Sequence, residues 1–325
     1  MVSQHDERLV RAECSLEGLS IGDAFGEQFF LSWDAVFRLL HAGKISLADD
    51  PGEGMVRRLI DQRMLPAARQ WRYTDDTQMA LSVVEILRKH GEINQDALAL
   101  SFSRHYDTSR GYGAAMHSLL PRLAYEPWQQ AASNLFGGQG SFGNGAAMRV
   151  APIGAYFAND LDAVVENARR SAEVTHSHPE AAAGAIAVAA ATALAWQSRQ
   201  SGALPESREF LNRVLPLVPD SEVQEGIRHA RGMIGEKDVR EVVGVLGNGT
   251  GVTAQDTVPF VLWCAAQHLD NFEEAMWLTV SGLGDRDTTC AMAGGIVAMG
   301  TGTESIPQPW LDARETLPTW PFRGT

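Results

Sequence analysis

Almost nowhere in this chain do apolar and polar residues alternate with the two-residue period of a half-buried strand. Instead, apolar residues recur three and four apart along most of its length. The longest apolar run, residues 181–196, shows what this demands. It is rich in alanine and shorter than the roughly 18–20 residues needed to cross a membrane, so it reads as a buried helix whose small side chains let neighbours approach closely. Further helices are expected over residues 8–26, 29–40, 74–90, 95–106, 160–173, 179–198, 206–216, 221–233, 237–243, 257–269, 272–281 and 287–299. Gly91 stops the third of these, and Asn94 caps the next. Residues 41–70 are mixed, with a turn at Pro51-Gly52 and a break at Pro66, and residues 242–246 are the best, though weak, strand candidate. In the tail, Trp310 and Trp320 are the expected anchors. The expectation is an all-α fold, one domain over residues 1–325, with glycine-rich loops gathered at one site.

Composition bounds the function. A hydrophobic content of 45% is ample for a large core, and a net charge of −13 argues against nonspecific nucleic-acid binding, which depends on lysine and arginine. Part of that charge could be neutralised by bound cations. Cys14, Cys264 and Cys290 are scattered without a paired motif, which fits small buried thiols in a reducing compartment. Residues 1–14 are charged and lack the apolar segment of a secretion signal, so a soluble, cytoplasmic protein is expected. There is no Walker sequence and no nucleophile elbow.

Two acidic clusters carry the chemistry. Thr74-Asp75-Asp76-Thr77 opens one helical segment and Asp285-Arg286-Asp287-Thr288, after Gly282 and Gly284, opens another. Either alone is explained by capping, since a threonine or aspartate at a helix start satisfies free N–H groups and complements the dipole. Together they fit a di-metal site better than two independent caps. Adjacent aspartates on a helix point about 100° apart, so one can face a cation while the next bridges to a second, and hard cations favour such oxygen donors. Asp23 and Glu27, one turn apart, are candidates for a general base or for support of the metal ligands. A solvated or capping face explains them equally well. His176-x-His178 lacks a third zinc-type ligand nearby and reads as ligand contact or capping. The stretch from Ser133 to Arg149 has five glycines within nine residues yet holds Phe136, Phe142 and Met148, so it reads as a structured binding loop whose N–H groups could cradle an anion.

Taken in order, Gly22-Asp23-Ala24-Phe25-Gly26, Thr74-Asp75-Asp76-Thr77, Gly140 to Arg149, Thr175-His176 and Gly284-Asp285-Arg286-Asp287-Thr288 resemble the ADP-ribosylglycohydrolase family from about Gly18 to Gly302. The resemblance implies an all-α orthogonal bundle holding two Mg2+ or Mn2+ ions. Thr74, Asp75, Asp76, Asp285, Asp287 and Thr288 would be the metal ligands. Ser141, Phe142, Gly143, Asn144 and His176, with Gly111 and Gly113 less centrally, would line the ADP-ribose groove. It implies hydrolysis of the glycosidic bond between ADP-ribose and its acceptor, with Asp76 or Glu27 handling the proton. A monomer acting on ADP-ribosylated protein or another modified acceptor is expected, with no membrane partner and with nucleic acid only as such an acceptor. One departure stands out. Members commonly carry a glutamate four residues after the second glycine of the first motif, where this chain has Phe30; Glu27 lies about one helical turn earlier. Two other readings remain: a di-metal hydrolase of a related nucleotide substrate, and a non-catalytic, crystallin-like member of the family.

Overall fold

The computed structural model describes residues 3–46, 52–66 and 70–322. Among them it contains 17 α-helices, and strand pairing is limited to two isolated bridges. The helices are α1 (Gln4–Glu27), α2 (Trp33–His41), α3 (Glu53–Asp61), α4 (Asp75–His90), α5 (Gln95–Arg104), α6 (Ala114–Arg122), α7 (Trp128–Ser133), α8 (Ala151–Tyr156) and α9 (Leu161–Glu173). They continue as α10 (Pro179–Gln200), α11 (Ser207–Val214), α12 (Glu222–Gly232), α13 (Val239–Leu246), α14 (Ala254–Gln267), α15 (Phe272–Ser281), α16 (Arg286–Thr301) and α17 (Gln308–Ala313). The all-α expectation holds.

The central contact is α1 against α16. Gly18, Gly22 and Gly26 form one ridge of α1, four residues apart, and press onto the backbone of α16. A Cβ added at Gly22 would lie 2.0 Å from the carbonyl oxygen of Cys290, and one at Gly26 would lie 2.2 Å from that of Arg286. Gly18 meets Gly294, further along α16, so the two helices run antiparallel and the end of α1 meets the start of α16. The alanine-rich α10 packs among α8, α9, α14 and α16. It is long and apolar enough to cross a membrane, but 83% of its apolar window is buried in the fold, as in a core helix. Gly91 ends α4 in the left-handed region and the Asn94 side chain caps α5, both as expected. Trp310 stacks on Phe25 with ring centroids 4.5 Å apart, and Trp320 stacks on His105 at 3.6 Å, tying the tail to α1 and to the end of α5.

Three expectations need correction. Residues 242–246 are helical, not a strand: Asp238 caps α13, and Val239, Val242, Val243 and Leu246 are spaced to share one helix face, overriding the β-preference of valine. The mixed region holds α3, with Met55, Val56, Leu59 and Ile60 buried; Gly52 precedes it at φ +108°, while Pro51 lies outside the described residues. The helix expected from residue 29 starts at Trp33, where the Ser32 side chain caps it, because residues 28–30 form a turn that ends α1.

Candidate active site

Three helix ends converge: the C-terminus of α1 and the N-termini of α4 and α16. Asp23 joins the first two. It is fully buried, and its carboxylate accepts hydrogen bonds from the backbone N–H of Thr74 (2.9 Å) and of Thr77 (3.1 Å), and from both threonine hydroxyls. The first turn of α4 is thus capped from another helix, which fixes where Asp75 and Asp76 stand. The Thr74 hydroxyl also caps α4 weakly, 3.4 Å from the Asp76 N–H, and lies 3.0 Å from Asp76 Oδ2. Thr288, in the first turn of α16, reaches the same oxygen at 3.4 Å. The two acidic clusters of the sequence therefore share Asp76.

Capping does not account for Asp285. It occupies the position before α16, yet its side chain makes no capping hydrogen bond. Leu283 and Gly284 both have positive φ, +58° and +62°, and this turn sends the Asp285 carboxylate toward the glycine loop, where Asn144 donates to it at 2.7 Å. Asn144 lines a cavity beside this turn, and its amide is engaged by Asp285 and, at 3.1 Å, by Thr257. The loop itself is pinned to the start of α14: the Asn144 N–H donates to the Val252 carbonyl and the Ala254 N–H to that of Phe142.

The carboxylates stand too close to share the site comfortably as anions. Burial, then repulsion from neighbouring acids, pushes Asp75 up to about 8 and holds Asp76 and Asp287 well above the usual carboxylate range. Burial pushes Asp23 up to about 6 and Glu27 up to about 7, the latter also repelled by Asp23. One oxygen of Asp76 and one of Asp287 are buried without any hydrogen-bond partner among the described residues. Buried, unpartnered, hard oxygen donors among like charges are what a divalent cation of the Mg2+ or Mn2+ kind would satisfy. Among the described residues no three acidic, imidazole or thiol groups already form a metal-binding cluster.

Cavities open on both sides of Asp285 and Asp287. The larger, about 620 Å3, is lined by Asp75, Gly113, the loop from Ser141 to Gly145, His176 and Thr288. The smaller, about 270 Å3, is lined by Glu27, Phe30, Arg72, Thr74 and Arg110. Gly111, Asp285 and Asp287 border both, whereas Asp76 lines neither. His176 is buried under the loop, its ring about 3.1 Å from where a Cβ on Gly145 would lie, so the loop packs tightly on the ring there. Burial, with the nearby Arg149, pushes His176 down to about 3, which keeps it neutral. Arg149 donates to the Thr175 hydroxyl (2.9 Å), and that hydroxyl lies 2.7 Å from His176 Nδ1. His176 Nε2 lies on the other side of the ring, beside Gly143 and Gly145.

At the Glu27 end, α1 stops at Glu27 and Phe30 lies in the following turn, its N–H bonded to the Glu27 carbonyl. The Phe30 ring stacks under Arg286 at 4.2 Å, and both Phe30 and Glu27 line the small cavity. The sequence placed Phe136 and Arg149 within the binding loop but gave neither a role of its own. Arg149 is fully buried, held by Gly145, Ser171, Thr175 and the Phe102 ring, with no carboxylate partner among the described residues. Phe136 is 56% exposed on the rim with φ +52°, unusual for a non-glycine residue, and faces Phe142 with ring centroids 6.2 Å apart. An exposed aromatic among loop glycines was the available signal.

A sequence model of the ADP-ribosylglycohydrolase family matches residues 4–321. ADP-ribosylhydrolase ARH3 of Homo sapiens is 31% identical over 94% of this chain and 90% of its own length. ADP-ribosylarginine hydrolase Tri1 of Serratia proteamaculans is 26% identical over 94% of this chain and 75% of its own. A solved structure described as an ADP-ribosylglycohydrolase-related protein complex superposes with a TM-score of 0.61 at 26% identity, covering 95% of this chain and 94% of that one. By its motifs, its all-helical architecture and a family match spanning almost its whole length, this chain belongs to the ADP-ribosylglycohydrolase family.

Proposed function

We propose that this chain hydrolyses the glycosidic bond between ADP-ribose and an acceptor, using divalent cations held by Thr74, Asp75, Asp76, Asp285, Asp287 and Thr288. The observation that carries this reading is the pair of buried, partnerless carboxylate oxygens of Asp76 and Asp287 beside a glycine-loop cavity large enough for a nucleotide. When bound, the cations supply Lewis-acid stabilisation to ribose and water oxygens.

The rest follows from the chain's own residues. ADP-ribose occupies the large cavity. Phe142 and Phe136 offer ring faces to the adenine. The first turn of α6, opening on the cavity at Gly113 and Ala114, offers free N–H groups to the diphosphate, and the uncharged His176 ring adds a polar edge to the same cavity. The anomeric carbon then lies at the border formed by Asp285 and Asp287, with the acceptor on the Glu27 side. A water oxygen attacks that carbon, and the bond to the acceptor breaks with its electron pair going to the acceptor atom. The acceptor takes up one proton and the water gives one up, leaving ADP-ribose and free acceptor. Glu27, held near neutrality, is suited to pass that proton, while Asp76, away from both cavities, is better placed to hold a cation.

Arginine- and serine-linked ADP-ribosyl peptides incubated with Mg2+ should release free ADP-ribose from at least one linkage. Asp75→Asn and Asp287→Asn should abolish turnover and cation binding while the fold survives. Full activity in both variants, or phosphate release from nucleotides with no ADP-ribose release, would overturn the reading. No cation binding at millimolar Mg2+ by calorimetry would favour a non-catalytic role.

A further inference from the structure

Beyond the small cavity lies a third, about 440 Å3, which shares Glu27, Phe30 and Arg72 with it. The three cavities therefore adjoin in sequence: the first meets the second at Asp285 and Asp287, and the second meets the third at Glu27. Whatever hangs from the reacting carbon on the Glu27 side runs into the third. Its wall is one face of α2, with Ala35, Arg38, Leu39 and Ala42 at helical spacing, continued by Lys44 and Pro66.

The charge of this cavity opposes that of the chain. Among the described residues its lining carries Arg38, Lys44 and Arg72 against a single acid, Glu27, on a protein of net charge −13. Several other surface arginines are ion-paired, as Arg63 is with Glu274 and Arg228 with Glu225. Among the described residues none of these three forms an ion pair, and Arg72 donates to the carbonyl and hydroxyl of Ser109, at 3.4 and 3.3 Å. A guanidinium acceptor would be repelled here, and an anionic chain attracted. The apolar half of the wall and the acidic remainder of the protein favour a short peptide over a polyanion.

Resting on the glycohydrolase reading, we propose that this third cavity docks the acceptor chain, and that Arg38, Lys44 and Arg72 select ADP-ribosylated peptides with acidic residues flanking the modified position.

The test compares peptides of one linkage with acidic, neutral or basic flanks, alongside ADP-ribose carrying a small chromogenic leaving group. The whole chain with Mg2+ is used, at 50 mM and 500 mM salt. Exposed ion pairs are individually weak, so the acidic flank should raise kcat/KM by roughly three- to tenfold over the neutral one at low salt and lose that advantage at high salt. The double variant Arg38→Gln, Lys44→Gln should erase the preference and leave cleavage of the chromogenic substrate unchanged. Cleavage of the chromogenic substrate with no flank preference would overturn this inference alone; cleavage of nothing would overturn the glycohydrolase reading itself. An ADP-ribosylated oligonucleotide cleaved faster than the acidic peptide, with the same sensitivity to the double variant, would replace the peptide with a nucleic acid and so refute the assignment.

Discussion

Removing the Asp23 side chain tests whether the α4 cap and the cation site are one electrostatic unit. In Asp23→Ala, the Thr74 N–H, the Thr77 N–H and the Thr77 hydroxyl lose their acceptor; the Thr74 hydroxyl keeps Asp76 Oδ2 at 3.0 Å. Three buried neutral donors left unmet, at about 1–2 kcal/mol each, cost roughly 3–6 kcal/mol. Against this, the substitution removes a charge that the cation-free protein holds unfavourably. Asp23 is raised from 3.8 to about 6, and a two-unit rise is worth roughly 3 kcal/mol at neutral pH. The net loss without cations is therefore roughly 0–3 kcal/mol. With Mg2+ or Mn2+ present the unfavourable charge is compensated, and the loss approaches the full 3–6 kcal/mol. At about 2.1 cal/mol/K per residue, a chain of 325 residues loses about 1.5 °C of Tm per kcal/mol. Thermal unfolding in chelator should show a drop of roughly 0–5 °C, and in millimolar Mg2+ a drop of roughly 5–9 °C. Equal drops in the two conditions, or none in either, would refute the coupling.

The cation-free protein should also lose stability as pH rises. Glu27 and Asp75 titrate at about 7 and about 8 in the fold, above their unfolded values of 4.5 and 3.8, so the native state keeps protons the unfolded chain has released. Their contribution is complete below about pH 4 and is lost as pH climbs through 7 to 8, and denaturant melts in chelator should follow that slope while millimolar Mg2+ flattens it. His176 acts with the opposite sign: depressed from 6.5 to about 3, it costs stability as pH falls below 6.5. That loss should be missing in His176→Gln, as read by acid denaturation of the two proteins side by side. Gly22→Ala places a Cβ 2.0 Å from the Cys290 carbonyl, in backbone that cannot rotate away, and should cost roughly 3 kcal/mol or more with a matching fall in soluble yield; a Tm within 1–2 °C of the parent would show that α1 and α16 separate more easily than their packing implies.

What could be read in advance, and what could not, divides along physical lines. Local chemistry was legible. An aspartate pair at a helix start, or an Asp-x-Asp after a glycine turn, shows its donor type and spacing in consecutive residues. Contacts across the chain were legible only where two distant clusters shared one chemistry, as those of Asp76 and Thr288 do. Asp23 looked equally like a surface acid and a catalytic base, because its role depends on Thr74 and Thr77, about fifty residues on. The glycines of α1 were visible, but the helix they admit was not, and neither was the consequence: pressed against α16, they bring Glu27 to the cavity that Asp285 and Asp287 border. Preferences misled where tertiary burial decided, as with the valines of α13. Phe30 shows the same division. The sequence exposed it as the wrong residue type at its position, but only the structure shows it outside the helix, stacked on Arg286, with Glu27 on the same cavity wall. Arg286 therefore does two jobs. It belongs to the acidic motif by position, and through Phe30 it shapes the wall on which Glu27 stands. An acid one turn early can face this cavity because α1 ends at Glu27 and the following turn folds Phe30 back toward α16.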